Sequence, residues 1–223
     1  GSMILGGVDI GTSGCKCSII TAHRQTLASR YQAYAVSRRA GAHEVDAAVI
    51  WEAARAVIQG ACADSGGEVE ALCITSFGES CVLLDEAGRE LAPILLYTDP
   101  RGGEECVRLN ERLGERTIAR LTGHRPNPMY FLPKLMWIRQ NQPELYRRIH
   151  TILPVNAYVA FRLSGEAVCD VSLAARTMML DVRRRGWCGP LLEAAGVRRD
   201  ILPQVAEAGT ANGTVRPAIA AEL

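Results

Sequence analysis

"GGVDIGTSGCK", residues Gly6 to Lys16, sets one carboxylate, Asp9, inside an apolar run and follows it at once with Gly11, Thr12, Ser13 and Gly14. An acid in a buried strand is costly unless it is paired or meets a metal. Small hydroxyl residues and glycines right behind it predict a turn whose backbone approaches an anion closely. Asp9 beside such a turn is suited to hold Mg²⁺ through water, because magnesium takes a carboxylate, waters and phosphate oxygens together. Gly11, Thr12 and Ser13 are then the candidate phosphate-binding residues, with Lys16 adding positive charge. No helix follows the glycines, so the stretch is neither a Walker loop nor a dinucleotide fingerprint. A tight hairpin with a solvated Asp at its edge is the alternative reading of these residues taken alone.

Outward from that stretch, "MILGGVDI" (3–10) reads as a buried strand, "CKCSIITA" (15–22) as a second and "TLASRYQAYAV" (26–36) as a half-exposed third. Tight turns between them predict an antiparallel meander. Val49, Ile50, Ala53, Ala54, Val57, Ile58 and Ala61 then recur at helical spacing, with Asp46 as cap and Gly66 as stop. "VEALCITS" (69–76) is a short apolar run, predicted to be a buried strand parallel to the first. "CVLLDEAGRELAPILLYTD" (81–99) predicts a hairpin turning at "EAGR". Helices are expected over Glu104–Leu113, Arg116–Leu121, Pro133–Asn141 and Asn156–Leu163, and a strand over Ile149–Leu153. The order predicts an α/β domain on a mixed sheet.

Hydrophobic residues make up 48% of the 223 and the net charge is +1, which gives no reason to expect nucleic acid or a membrane surface as partner. The eight cysteines are scattered without a C-x-x-C pair. They read as small core hydrophobes in a reducing compartment, the cytoplasm. Gly1-Ser2 ahead of Met3 reads as a tag scar, so residues 1–3 are set aside and 4–223 are taken as one domain. "TVRPAIAAEL" starts a helix after Pro217 and reaches Leu223 without a cap, which predicts a domain cut from a longer protein.

"DIGTSGCKCSI" resembles the first phosphate loop of the FGGY carbohydrate kinases, members of the actin-like ATPase (ribonuclease H-like) superfamily. Further matches follow in the family's order: "HEVDAAVIWEA", "ITSFGESCVLLDEAGRELAPILLYTDPRG", "PKLMWIRQNQPELYRRI", "CDVSLAARTMMLDVRRRGW" and "LPQV". The resemblance runs from Ile4 to Leu223 and implies an actin-like α/β domain with a mixed, mainly parallel sheet flanked by helices. It implies an ATP- and Mg²⁺-dependent kinase acting on a sugar or polyol. This chain would be the N-terminal, sugar-binding half, working against its own C-terminal ATP-binding domain, with a homodimer left open.

Residue by residue, the resemblance places Asp9 at the magnesium and Gly11, Thr12 and Ser13 at the transferred phosphate. It places Phe77, Gly78, Glu79, Asp99, Arg101 and Tyr130 at the sugar, with Met129 beside Tyr130 near an aromatic substrate contact, and implies structural support from Asp170 and Arg176 at the cleft floor. Glu79 stands where glycerol kinases carry a hydroxyl-binding glutamate and xylulose kinases a nearby histidine. A carboxylate there accepts from two adjacent hydroxyls at once. Tyr97 stands where tryptophan is usual, Phe77-Gly78 replaces a common Gln-Met or Gln-Arg pair, and Asn156-Ala157-Tyr158 replaces Lys-Asp-Tyr. The family's general base, an Asp in a Gly-Gly-x-Asp motif, has no counterpart up to Leu223, so the fragment alone is expected to be inactive. A non-catalytic actin-like sugar sensor is the competing expectation.

Overall fold

The computed structural model of the chain describes residues 3–207, 213–220 and 223. Strands β1 (Ile4–Ile10), β2 (Gly14–Thr21) and β3 (Thr26–Ala33) form the expected antiparallel meander, in which Asp9 stands opposite Lys16. Along β1, Gly6, Val8 and Ile10 are buried while Gly7 and Asp9 are exposed, the alternation of a sheet covered on one face. A short ribbon, β4 (Ser37–Arg39) and β5 (Ala42–Val45), leads into helix α1 (Ala47–Ser65). Asp46 caps α1, accepting from the Ala48 N–H at 2.9 Å, and Gly66 ends it. The helix buries Ile50, Ala54, Val57, Ile58 and Ala61 and packs on β2 and β3. Burying each isoleucine contributes about 2 kcal/mol.

Strand β6 (Ala71–Ser76) returns parallel to β1, giving the order β3-β2-β1-β6. The sheet is mixed, as expected. Two of its three pairings are antiparallel, however, which corrects the expectation of mainly parallel strands. Tight turns return a strand antiparallel, and only the α1 crossover is long enough for a parallel return.

Strand β7 (Cys81–Leu84) turns where the Asp85 N–H donates to the Arg89 carbonyl at 2.9 Å, and the pairing continues to Glu90 and Leu91. The predicted hairpin stops there. Pro93 has no N–H to extend the ladder, and β8 (Ile94–Leu95) pairs with β5 instead. Helices α2 (Gly103–Leu113), α3 (Glu115–Thr122) and α4 (Phe131–Asn141) start one or two residues before their expected positions. The short α5 (Pro143–Arg148), absent from the sequence reading, follows. Strand β9 (Thr151–Pro154) pairs antiparallel with β7 and runs into α6 (Val155–Ser164). The remainder comprises β10 (Val168–Asp170), α7 (Val171–Ala175), the ribbon of β11 (Leu180–Asp181) and β12 (Gly186–Trp187), and α8 (Gly189–Ala195). Then come β13 (Gln204–Ala206), parallel to β10, and α9 (Pro217–Ala220).

Strand β7 joins two cores. Val82 and Leu84 enter the core beneath the main sheet, and Cys81 and Leu83 enter one built around Phe131, Leu132, Leu135 and Ile152. Ile10 and Ser76 are partners in the parallel pair. The loops after β1 and β6 therefore leave the sheet side by side at its carboxyl ends, where open α/β sheets bind ligands.

Candidate functional site

Asp9 lies one residue before the end of β1, exposed on the uncovered face. Thr75 of β6 stands in register beside it and donates from Oγ1 to Asp9 Oδ1 at 3.4 Å. Lys16, opposite on β2, is exposed on the same face. The loop that follows is closed by the Gly11 N–H donating to the Gly14 carbonyl at 2.8 Å. Tyr34 braces it from behind: its hydroxyl donates to the Gly11 and Gly14 carbonyls, the latter at 3.2 Å, and its N–H donates to the Ser13 carbonyl at 3.1 Å. A Cβ on Gly14 would lie 2.7 Å from the Gln32 carbonyl oxygen, so the position accepts glycine alone. Among the described residues none accepts a hydrogen bond from the Thr12 or Ser13 amide or hydroxyl. The loop thus presents free donors next to an exposed carboxylate, a donor set that fits a phosphate and its Mg²⁺.

The loop after β6 carries Glu79 in the left-handed region, φ +68°, which is uncommon for a residue with a Cβ. Arg176 holds it there. Its Nε donates to Glu79 Oε1 at 2.9 Å and its Nη2 donates to the same oxygen. Glu79 Oε2 has no hydrogen-bond partner among the described residues. The Arg176 guanidinium lies 5.6 Å from the centre of the Tyr130 ring, which in turn lies 4.7 Å from the His124 ring. Gly78 runs under Arg176, where a Cβ would come within 3.2 Å of Arg176 Cγ. Gly78, Glu79 and Tyr130 are therefore brought together by Arg176. Phe77 is turned the other way: its side chain packs on the core beneath the sheet, and its N–H donates to the Ile10 carbonyl at 2.9 Å. Below the loop, Ser76 Oγ accepts from the Asn156 N–H at 2.9 Å, and Asn156 Nδ2 donates to Asp170 Oδ2 at 2.8 Å. Asp170 also caps α7.

Asp99 and Arg101 form a different kind of place. The Asp99 side chain has no exposed surface. Arg101 donates to it twice, from Nε at 2.9 Å and Nη2 at 2.6 Å, and the Arg101 and His43 N–H groups add bonds of 3.0 and 2.8 Å. Burial alone would raise the Asp99 carboxyl. The hydrogen bonds from Arg101 and His43 and the charge of Arg101 outweigh it and hold the group below its ordinary range. Arg101 also reaches Glu44 at 2.9 Å and lies over Trp137. Its bond to Asp99 keeps its guanidinium more firmly protonated than usual, against the pull of burial. Lys134, fully buried on α4, donates to the Asp99 and Arg101 carbonyls at 2.5 and 3.0 Å. Burial pulls its ammonium down to about 8, opposed by the charge of Asp99 and assisted by that of Arg101. Every oxygen of the Asp99 carboxylate is engaged within the protein.

Four supporting residues lie outside the sequence reading. Tyr34 belongs to a run read only as a strand. Glu44 and His43 belong to a ribbon whose polar sequence hides its pairing. Lys134 did carry a signal: a lone ammonium between Pro133 and Leu135 in a helix with an apolar face must find partners.

Residues 3–223 match the N-terminal domain of the FGGY family of carbohydrate kinases. The chain is 33% identical over 216 residues to a xylulose kinase of Escherichia coli (strain K12), covering 96% of this chain and 44% of that protein. It is 29% identical over 155 residues to an L-fuculokinase of the same organism, covering 70% and 33% respectively. The solved xylulose kinase of Rhodospirillum rubrum superposes with a TM-score of 0.94 at 25% identity, over 98% of this chain and 46% of that one. The chain thus spans less than half the length of these relatives. Two loops side by side at the carboxyl ends of a mixed sheet, one with free amides beside an acid and one with a free carboxylate oxygen, sit in a fold shared with solved kinases: the chain belongs to the FGGY family of carbohydrate kinases, as the actin-like N-terminal domain of that family.

Proposed function

We propose that the whole protein transfers the γ-phosphoryl group of ATP to a hydroxyl of a small ketose or polyol, and that residues 4–223 form the sugar-holding wall of its cleft. The observation that carries this reading is the free Thr12 and Ser13 amides beside exposed Asp9, at the carboxyl ends of the strands, where the loop with Glu79 also leaves the sheet. The loop amides and hydroxyls orient the phosphate by hydrogen bonds. Asp9, steadied by Thr75, would hold Mg²⁺ through water; when bound, the ion neutralises charge on the transferred group. Lys16 adds positive charge on the same face. Glu79 Oε2 accepts from a sugar hydroxyl while Arg176 keeps the carboxylate aimed. Tyr130 and Gly78 border that contact. Phe77, Asp99 and Arg101 serve as scaffold in this account and do not touch sugar.

In the reaction the sugar oxygen forms a bond to the γ-phosphorus, the bond to the ADP oxygen breaks, and the hydroxyl proton goes to a base. We assign the base and the adenine site to the rest of the protein, whose closure over this wall excludes water and favours the sugar hydroxyl over hydrolysis. The relatives named for xylulose and L-fuculose favour a ketose, and Glu79 keeps polyols among the candidates. Among the described residues no helix is long and apolar enough to cross a membrane. The eight cysteines are free thiols, which supports a cytoplasmic location. The test is ADP release by the full-length protein with Mg²⁺, ATP and a panel of pentuloses, hexuloses and polyols, beside residues 1–223 alone. Sugar-dependent release by the full-length protein only is expected. No sugar-dependent release from it would overturn the proposal.

A further inference from the structure

We infer that Tyr34 is the positioning residue of the phosphate loop: its hydroxyl and its N–H turn the Gly11 and Ser13 carbonyls inward, so that the amides of the same peptide units face the ligand side. The inference rests on the phosphate-loop reading above and goes beyond it, since Tyr34 itself touches no ligand.

Among the described residues the peptide bonds are trans, and in a planar trans unit the C=O and the following N–H point in opposite directions. The Tyr34 hydroxyl holds the Gly11 C=O, so the Thr12 N–H, in the same plane, is directed away from Tyr34. The Tyr34 N–H holds the Ser13 C=O at 3.1 Å, which directs the Gly14 N–H in the same sense. The hydroxyl also reaches the Gly14 carbonyl at 3.2 Å, an oxygen that already accepts the Gly11 N–H at 2.8 Å. Three carbonyls of a four-residue loop are thereby tied to one residue.

Among the described residues the Thr12 and Ser13 hydroxyls bond none of the loop's own peptide groups, and glycine flips readily between orientations. A flipped Gly11–Thr12 unit would present a carbonyl oxygen where the phosphate oxygen sits, replacing attraction with repulsion. An outside brace removes that alternative before the ligand arrives, which is how preorganised donors gain their effect. Tyr34 is suited to the task. It is half-buried against the core, and burial, with the nearby Cys15, Tyr31 and Asp9, raises its hydroxyl well above the ordinary range. The group therefore stays protonated and remains a donor.

The test is Tyr34→Phe in the full-length protein, which keeps the ring and removes only the hydroxyl, with Tyr31→Phe as the neighbouring control. KM for MgATP should rise and kcat fall, so that kcat/KM for ATP drops about tenfold or more. Sugar affinity should stay within about twofold, since the Glu79 loop is held by Arg176. A merely structural role would lower sugar affinity and thermal stability together. Amide hydrogen exchange at Gly11, whose N–H is bonded to the Gly14 carbonyl that Tyr34 also holds, is the second readout and needs no turnover: it should quicken in Tyr34→Phe and not in Tyr31→Phe. Unchanged ATP kinetics in an active Tyr34→Phe enzyme would overturn the inference and leave the phosphate loop standing. Absence of turnover in the wild type would instead sink the kinase reading, and unchanged exchange at Gly11 would then overturn the brace as well.

Discussion

The Asp9 loop and the Asp99 loop contain the same ingredients, an aspartate, glycine and a nearby cation, and they come to opposite states. Asp9 is exposed, with one 3.4 Å contact from Thr75, and the amides behind it have no acceptor among the described residues. Asp99 is sealed, with two bonds from Arg101, two backbone N–H donors and a buried lysine beneath the loop. A polar group already paired inside the protein has little left to offer a ligand. A free one at a sheet edge costs nothing while water covers it and becomes valuable when a ligand displaces that water. Residue type does not separate a site from a strut; hydrogen-bond satisfaction does.

The difference can be broken most forcefully at Asp9. In the full-length protein Asp9→Ala should lower kcat on the order of a thousandfold or more, through lost charge neutralisation at the phosphoryl group, while sugar Kd hardly moves. Near-normal turnover would remove the phosphate-loop reading. Asp99→Ala should behave in the reverse way. It leaves Arg101 without its main partner and should cost about 3 kcal/mol of folding stability in a urea titration, with sugar Kd unchanged wherever the protein is folded. Weakened sugar binding at full stability would show that Asp99 is a contact after all.

Glu79 lies between these extremes, with one oxygen engaged and one free. Glu79→Ala should weaken sugar binding by about 2 kcal/mol in a calorimetric titration and leave ATP affinity alone. The smallest effect concerns Lys134. Its folded-state value near 8 lies below the 10.5 of the unfolded chain, so above about pH 8 the unfolded state binds more protons and stability rises with pH. Below pH 8 both states are protonated and the contribution is flat. The stability difference between wild type and Lys134→Met should shift in favour of the wild type by about 1 kcal/mol from pH 7 to pH 9. No shift over this range would mean that the lysine stays charged in the folded protein.

Much of this architecture is legible in the sequence because the period of the apolar residues is. Val8 and Ile10, and Ile50, Ala54, Ile58 and Ala61, announce their strand and helix through burial on one face, and Asp46 and Gly66 mark the ends of α1. The β4–β5 ribbon is not legible, since Ser37, Arg38 and Arg39 bury little and its pairing depends on β8, some fifty residues away. The hairpin after β7 was half legible: the turn is local, but the loss of its second arm at Pro93 is decided by competition from β5. At the site, Asp9 and the glycines stand out by composition. Tyr34 and the Arg176–Glu79 pair do not, because each is a long-range contact made by a residue type common on any surface.

The most direct test is amide hydrogen exchange across the full-length protein with and without a non-hydrolysable ATP analogue, Mg²⁺ and sugar. Exchange at Thr12 and Ser13 is expected to slow about tenfold or more as their amides acquire an acceptor, while the segment from Thr98 to Gly102, already bonded, keeps its rate. Slowing at Thr98–Gly102 with none at Thr12 and Ser13 would contradict it, and would move the ligand to the loop that the structure shows to be closed.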